Sequence, residues 1–150
     1  MKKLVKIFSM IAILAVGLSC VSCDDKDEPA GFADLPLKAQ DFINTYFATY
    51  SSSNITYDEG DGNHAYKIVF DNGYEIQFNK DGEWTDVDAP DGQSLPTAFM
   101  PEGIVSYVND NYTGQGINEI EKEKKQYNVE LTNGVDLIFN LDGTFNREDR

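Results

Sequence analysis

The chain has 150 residues, with 12 Lys and Arg against 26 Asp and Glu, and a formal net charge of −14 at pH 7. That length fits one domain or two small ones, and the charge excludes a nucleic-acid binder, which needs cations to neutralise phosphates. The chain has one histidine, His64, and two cysteines, Cys20 and Cys23. A Ser-His-Asp or Cys-His site would have to use that single histidine, and a structural zinc site lacks its four Cys or His ligands. We expect no enzymatic activity, no metal and no cofactor.

Residues 1–22 have the pattern of an export signal. Three lysines precede an apolar run over residues 7–18, and small residues follow. The run is shorter than the roughly 20 residues that cross a membrane as a helix. An N-terminal anchor helix is the alternative interpretation.

Both cysteines lie where this segment ends and an acidic stretch begins. The order Cys-Val-Ser-Cys-Asp-Asp over residues 20–25 resembles a bacterial lipoprotein signal, in which the cysteine after the cut is acylated. Cys23 is the predicted lipid site because it borders the polar segment, and Cys20 is the alternative. An acidic stretch at this point resembles the surface-export signal of Bacteroidetes lipoproteins. We expect an outer-membrane lipoprotein, surface-exposed or periplasmic, with residues 23–33 as an acidic tether.

The rest of the chain resembles itself at an offset of about 61 residues. We therefore predict two copies of one unit, over residues 34–88 and 94–150, joined by turn formers over residues 88–93. One copy alone would bury little core, so the copies are expected to share one. Leu35-Pro36 recurs as Leu95-Pro96, Asn72-Gly73 as Asn133-Gly134, and Asp81-Gly82 as Asp142-Gly143.

Each copy is predicted to begin with a helix, because apolar residues recur at helical spacing. Asp34 is the expected N-cap of the first helix, with Pro36 in its first turn. Pro101 and Glu102 open the second helix, and Gly114 lies just past its end. The apolar stripes are Phe42, Ile43, Tyr46, Phe47 and Tyr50 in copy one, and Ile104, Val105, Val108 and Tyr112 in copy two.

Strands follow each helix, because apolar and polar residues then alternate with period two. Alternation on both sides of Asn72-Gly73 predicts a hairpin whose two turn residues both adopt positive φ, and Asn133-Gly134 predicts another. We predict the α+β class, with two tandem repeats. Each is a helix followed by about four antiparallel strands, and both share one sheet with the helices on one face.

This order of elements, given twice after a lipoprotein signal, resembles the PepSY-like proteins of Bacteroidetes, which are described as β-lactamase-inhibitor-like. The resemblance covers nearly all of residues 34–150 and implies a continuous antiparallel sheet. It carries no catalytic motif, and the inhibitor label reflects a fold, which does not fix function. The residues that carry it in copy one are Leu35-Pro36, 66–70, Asn72-Gly73, 76–78, Asp81-Gly82 and Trp84.

Four candidate sites have a simpler structural explanation. The acidic loop over residues 58–63 lacks the ligand order of an EF-hand, so we interpret it as a solvated loop. The Asn-x-Asp-Gly segments at 79–82 and 140–143 are interpreted as turns rather than as ion ligands. His64 has no counterpart in the second copy, so a surface histidine is favoured over a pH-sensitive contact. The helix aromatics are assigned to the core rather than to a ligand pocket.

The outward face of the sheet is the surface with a physical argument for binding. The leading hypothesis is a non-enzymatic, lipid-anchored envelope protein that binds a protein or peptide there, in a sharper version as an inhibitor of a hydrolase. The alternative is a carrier or sensor for a small ligand or glycan held between sheet and helices, which requires a pocket. The predicted outward residues are Lys67, Glu75 and Gln77 in copy one, and Glu130 and Asp136 in copy two.

Overall fold

The computed structural model describes residues 27–59 and 61–149, so the predicted signal and both cysteines lie outside the described residues. Within them the chain forms nine strands, two α-helices and one 3-10 turn, at Phe32–Asp34. The helices are α1 (Leu37–Tyr46) and α2 (Glu102–Asn111). The strands are β1 (Asp27–Pro29), β2 (Ser52–Asp58), β3 (Tyr66–Phe70), β4 (Glu75–Phe78), β5 (Trp84–Asp88), β6 (Ile117–Lys122), β7 (Gln126–Leu131), β8 (Asp136–Asn140) and β9 (Phe145–Asp149).

The strands form one antiparallel sheet whose spatial order, β1 to β9, is also their order in the chain. A helix followed by four strands occurs twice, as α1 with β2–β5 and as α2 with β6–β9. The predicted α+β class with a single antiparallel sheet is therefore confirmed. Each helix spans ten residues, and none within the described ranges is long and apolar enough to cross a membrane.

A row of aliphatic side chains crosses the middle of the sheet and forms the centre of the core. Its members lie opposite one another in register on six neighbouring strands, and each is at most 2% exposed. Burying each one contributes roughly 1.5–3 kcal/mol. The buried residues of both helices belong to the same cluster, so both helices pack on this face. The row is Ile68, Ile76, Val87, Ile120, Val129 and Leu137.

Helix α1 is shorter than the predicted apolar stripe. It ends at Tyr46, Phe47 is its C-cap residue, and Tyr50 lies beyond it. Phe47 nevertheless stays in the core at 1% exposure, and its ring lies 5.3 Å from that of Tyr50. The stripe therefore predicted the buried residues correctly but extended the helix too far, because aromatic residues just after a helix can pack on the same core.

Residues 27–33, the described part of the predicted tether over residues 23–33, form part of the fold instead. β1 pairs antiparallel with β2 at the edge of the sheet, and the carboxylate of Asp34 accepts the backbone N–H of Gly31 at 2.8 Å. Asp34 therefore does not cap α1, whose N-cap position is held by Pro36. β1 is exposed at every position, so it has no apolar pattern by which a strand could be predicted.

The hairpin turns differ from the predicted type. Among the described residues positive φ occurs only at glycines, so Gly73 adopts it, at 86°, and Asn72 does not. Phe70 donates its N–H to the Tyr74 carbonyl and accepts the N–H of Gly73, both at 2.9 Å. This pattern is typical of a three-residue loop closed by a left-handed glycine, the next most common hairpin after the two-residue type. The same bonds recur at the turns of Gly82, Gly134 and Gly143.

Two of these turns fix where the helices begin on the sheet. A Cβ on Gly82 would lie 2.7 Å from Cβ of Pro36, which precedes α1, and a Cβ on Gly143 would lie 3.2 Å from Cβ of Pro101, which precedes α2. Because both glycines also have positive φ, a larger residue would be strained and crowded at once.

Strands β5 and β6 join the two halves, and one side chain makes hydrogen bonds to the joint over residues 88–93. Asn118 is 6% exposed and is the one polar side chain classed as buried among the described residues. Its Nδ2 donates to the carbonyl oxygens of Ala89, Pro90 and Gln93 at 3.1, 3.0 and 2.9 Å. The joint over residues 88–93 is therefore held against β6 by hydrogen bonds.

The halves share one core, as expected. Phe99 precedes α2, yet its ring lies 5.2 Å from Phe42 and 5.4 Å from Trp84 in the first half. Trp84 in turn stacks on Tyr127 of the second half at 6.1 Å. A single apolar cluster spans both halves.

We expect Asn118→Ala to lower the free energy of unfolding by about 2–3 kcal/mol, because it removes three hydrogen bonds from the joint, one of them to the carbonyl of buried Ala89. Urea unfolding measures the change. The matched control is Asn111→Ala, since Asn111 is exposed and makes one bond, to the Tyr107 carbonyl at 2.9 Å. The control should change stability by less than about 0.5 kcal/mol. Equal small effects of both variants would contradict the assigned role of Asn118.

Candidate functional site

The face of the sheet opposite the helices is covered by no other element among the described residues. Its side chains alternate with the buried aliphatic row, because successive residues of a strand point to opposite faces. Two rows of this face cross the strands side by side, and they differ in chemistry. We call them the carboxylate row and the amide row.

The carboxylate row places one acidic residue on each of six consecutive strands, β4 to β9. Each is the register partner of the next. Neighbouring strands lie about 4.8 Å apart, so the row is a line of carboxylates at that spacing. Like charges directly opposite one another destabilise a sheet, so this arrangement carries an energetic cost. The members are Glu75, Asp88, Glu119, Glu130, Asp136 and Asp149.

The amide row is bonded within itself. Gln77 donates to Asp86 at 3.0 Å, and Asn128 donates to Glu121 and Glu123, both at 3.0 Å. Ile138 lies in the same row, outside the main core, and is only 5% exposed. This row therefore presents a surface whose carboxylates already accept protein hydrogen bonds.

Three members of the carboxylate row have raised pKa values. The pKa of Asp88 is raised to about 6, first by burial and then by the neighbouring charges of Glu75, Glu130 and Asp91, against a smaller lowering by Lys67. Burial also raises the pKa of Glu130 and of Asp136, and in each case a neighbouring carboxylate adds to the effect.

At the end of the row the Lys67 ammonium forms an ion pair with Glu75 at 2.6 Å. A further cation bound along the row would stabilise the ionised carboxylates, because an opposite charge within a few ångströms favours the charged form.

All five predicted outward residues lie on this face. Glu75, Glu130 and Asp136 belong to the carboxylate row, Gln77 belongs to the amide row, and Lys67 pairs with Glu75. Their role in binding stays a prediction.

The sequence analysis missed Asp88, Glu119 and Asp149, which complete the carboxylate row. Alternation around the buried residues Val87 and Ile120 was the available signal. That signal identifies acidic outward positions on β5 and β6, but it does not show that these two strands pair.

The carboxylate row is not arranged as a metal site. Calcium requires six to eight oxygens converging at 2.3–2.6 Å on one point, whereas the row is linear. No group of three or more His, Cys, Asp or Glu side chains that could hold a metal ion occurs within residues 27–59 and 61–149.

The other acidic candidates accept hydrogen bonds from their own loops. Asp61 Oδ1 accepts the backbone N–H groups of Asn63 and His64, both at 2.9 Å, and the bond from His64 is the main cause of its lowered pKa. Asn79 Oδ1 likewise accepts backbone N–H groups, from Asp81 and Glu83. These contacts support the interpretation of both segments as loops and turns.

The helix aromatics pack in the core. Phe42 meets Phe78 edge-on at 5.6 Å, and Phe47 stacks on Phe70 at 5.8 Å. A cavity of about 230 Å³ lies beside the end of α1, between Phe47 and Phe70. It is smaller than the usual 300–1,000 Å³ of ligand sites, so the space between helix and sheet offers little room for the ligand of the alternative hypothesis.

Asp88 should make stability fall as pH rises. A carboxyl whose pKa is raised by folding binds its proton more tightly in the folded state, so its stabilisation is present below about pH 4 and lost through pH 6. Asp88→Asn should therefore match the wild type at pH 4 and exceed it at pH 7.5. We expect a difference of about 1 kcal/mol at pH 7.5, because the partly exposed site is screened by solvent. Urea unfolding between pH 4 and 8 measures this, with exposed Asp41→Asn as the control. An unchanged pH profile in Asp88→Asn would contradict the expectation.

The sequence model of the PepSY-like family, described as "Putative beta-lactamase-inhibitor-like, PepSY-like", matches residues 64–147. Three crystal structures of Bacteroides proteins are similar over most of the chain. A "putative calcium-regulated periplasmic protein" from Bacteroides thetaiotaomicron is 32% identical with a TM-score of 0.78, covering 84% of this chain and 98% of that chain.

The other two proteins come from Bacteroides vulgatus. A "putative periplasmic protein" of the DUF2874 family is 30% identical with a TM-score of 0.74, covering 86% of this chain and 100% of that chain. A "putative periplasmic protein of unknown function" is 28% identical with a TM-score of 0.73, covering 83% and 99%. No curated protein matches the chain. Because the family model covers more than half of its residues, the protein belongs to the PepSY-like family.

Proposed function

We propose that this protein is a non-enzymatic module of the cell envelope that binds a cationic protein or peptide segment on the uncovered face of the sheet. The observation that carries the proposal is the carboxylate row, six acidic side chains in register on a face that no helix of residues 27–59 and 61–149 covers. A partner with Lys or Arg side chains at the spacing of the strands would complement it.

The energetics of the row favour a cationic partner over a neutral one. Its carboxylates repel one another, and burial raises the pKa of Asp88, Glu130 and Asp136. A bound ammonium or guanidinium group relieves both costs. Complementary charge also speeds association and excludes acidic partners. Binding should therefore weaken as salt rises.

The envelope location and the anchor are further parts of the proposal. The similar Bacteroides structures are titled periplasmic, and Cys23, with Cys20 as the alternative, follows a sequence with the pattern of an export signal. We further propose that the two halves arose as copies of one unit, since a helix followed by four strands occurs in each and their turns share one hydrogen-bond pattern.

A lysine-rich peptide tests the binding face. The chain from residue 24 should bind decalysine at about 0.05 M salt and lose affinity at about 0.15 M. The face variant Glu75→Gln/Glu130→Gln/Asp136→Asn should bind at least about tenfold more weakly. The control variant Asp41→Asn/Glu102→Gln/Asp110→Asn removes the same charge from exposed helix positions, and it should bind like the wild type.

Equal losses in the two variants would mean that decalysine senses net charge alone, and they would overturn the proposal. A second experiment is calorimetric titration with CaCl2, because one similar protein is described as calcium-regulated. Stoichiometric calcium binding that is lost in the face variant and displaces decalysine would replace the partner-binding proposal with an ion-binding one. The full-length protein, with Cys23 and the face intact, can then be used to capture candidate partners from an envelope extract.

The anchor is tested separately in bacteria that process lipoproteins. Metabolic labelling with an alkyne fatty acid should label the wild type and Cys20→Ser, whereas Cys23→Ser should be unlabelled and recovered in the soluble fraction. If Cys23→Ser retains the label and Cys20→Ser loses it, the lipid is attached to Cys20. Labelling of neither the wild type nor the variants would contradict the lipoprotein proposal.

A further inference from the structure

A cleft of about 560 Å³ opens at one end of the strands where β5 and β6 separate. Their register pairs run only from Asp86–Glu121 to Asp88–Glu119, so the residues before Asp86 and after Glu121 are not paired across the joint. We call this space the seam cleft. It lies within the 300–1,000 Å³ typical of ligand sites. Its lining includes His64, Asn79, Trp84 and Thr85 on one side and residues 121–124 on the other.

Trp84 forms one wall and is held rigidly. Its ring packs against Phe42, Phe99 and Tyr127 at centroid distances of 6.4, 5.4 and 6.1 Å. These aromatic contacts fix the orientation of the indole before any ligand arrives. Its N–H donates no hydrogen bond to another residue in the described part of the chain, so this lining residue has a donor that the protein does not use.

Neutral polar groups line the same wall. Asn79 uses its Oδ1 for two backbone N–H groups, which leaves its amide nitrogen as a donor. The Thr85 hydroxyl lies 3.5 Å from His64 Nδ1 and donates to the Gln77 carbonyl at 3.3 Å. Both contacts are too long to engage these groups fully. Donors and acceptors therefore alternate over a short distance beside an aromatic ring.

The opposite wall carries charges of both signs. Lys122 and Lys124 lie within 4 Å of no carboxylate among the described residues, whereas Glu121 and Glu123 accept hydrogen bonds from Asn128. The cleft is therefore closer to neutral than the strongly acidic surface around it. This wall offers ammonium donors and carboxylate acceptors, which together suit a ligand that both donates and accepts.

We propose that the seam cleft binds a short neutral saccharide. Hydroxyl groups donate and accept at once, which matches the mixed lining, and a sugar ring can lie against the edge of Trp84. A peptide fits less well, because peptides add to a free strand edge or insert an apolar anchor. Only Trp84 and Thr85 of β5 and Lys122 of β6 lie beyond the last register pair, so the free edges are too short to add a strand. The lining also contains few apolar residues. This site is separate from the carboxylate row and does not depend on it.

The chain contains a single tryptophan, so its fluorescence reports directly on the cleft. The chain from residue 24 is titrated with maltotriose, cellotriose, xylotriose and tri-N-acetylchitotriose to about 10 mM, a range that covers weak binding. We expect a saturable change in emission with at least one of these sugars. Saturation-transfer NMR on the sugar provides a second readout that does not depend on the indole.

Thr85→Val removes one hydroxyl without changing the shape of the side chain, and it should weaken binding at least about fivefold. The face variant Glu75→Gln/Glu130→Gln/Asp136→Asn should bind the sugar like the wild type, so failure here is distinguishable from failure of the carboxylate row. Circular dichroism confirms that each variant is folded.

Three results would overturn the saccharide proposal. One is no change in emission or NMR signal with any of the four sugars. Another is equal affinity of the wild type and Thr85→Val. The third is a saturable emission change with decalysine that persists in the face variant and is larger than any change with a sugar, which would assign the cleft to peptides.

Discussion

The pairing of β5 with β6 is the contact on which the rest of the molecule depends. Three register pairs and the Asn118 amide hold it together. Without it, each half would be a helix on a four- or five-stranded sheet too small to bury a stable core. With it, the aliphatic row continues from one half into the other, and Phe99 can pack on rings of the first half. The short joint after β5 therefore holds the two halves together, a role that a larger domain interface has in other proteins.

The same pairing also produces the chemistry of the outer face. Side chains alternate along every strand, so a row that is continuous on the inner face must be matched by a continuous row on the outer face. Glu75 and Asp88 come from the first half, while Glu119 and Glu130 come from the second. Neither half alone places more than four carboxylates in line. The cleft at Trp84 has the same origin, since it lies where the two strands part.

Local patterns account for what could be predicted from the sequence. Alternation around Asn72-Gly73 and Asn133-Gly134 identifies hairpins, and the helical stripes identify the core side chains, because both depend on residues that are close in the chain. The turn type was wrong because Asn-Gly suits two hairpin geometries. The three missed members of the carboxylate row depend on which strands pair and in what register. β1 was missed because an exposed edge strand needs no apolar side chains.

The order of the strands has a consequence for how the chain acquires its structure. Six of the eight strand pairs join strands linked by a short turn or loop, whereas β1–β2 and β5–β6 each close around a helix. Closing a longer loop costs more entropy, and proteins dominated by local contacts fold quickly. The β5–β6 pair closes the longest loop in the sheet, residues 89–116, so it carries the largest loop-closure cost of the eight pairs. The contacts at Asn118 and Phe99 offset that cost, and the continuity of the outer face depends on them.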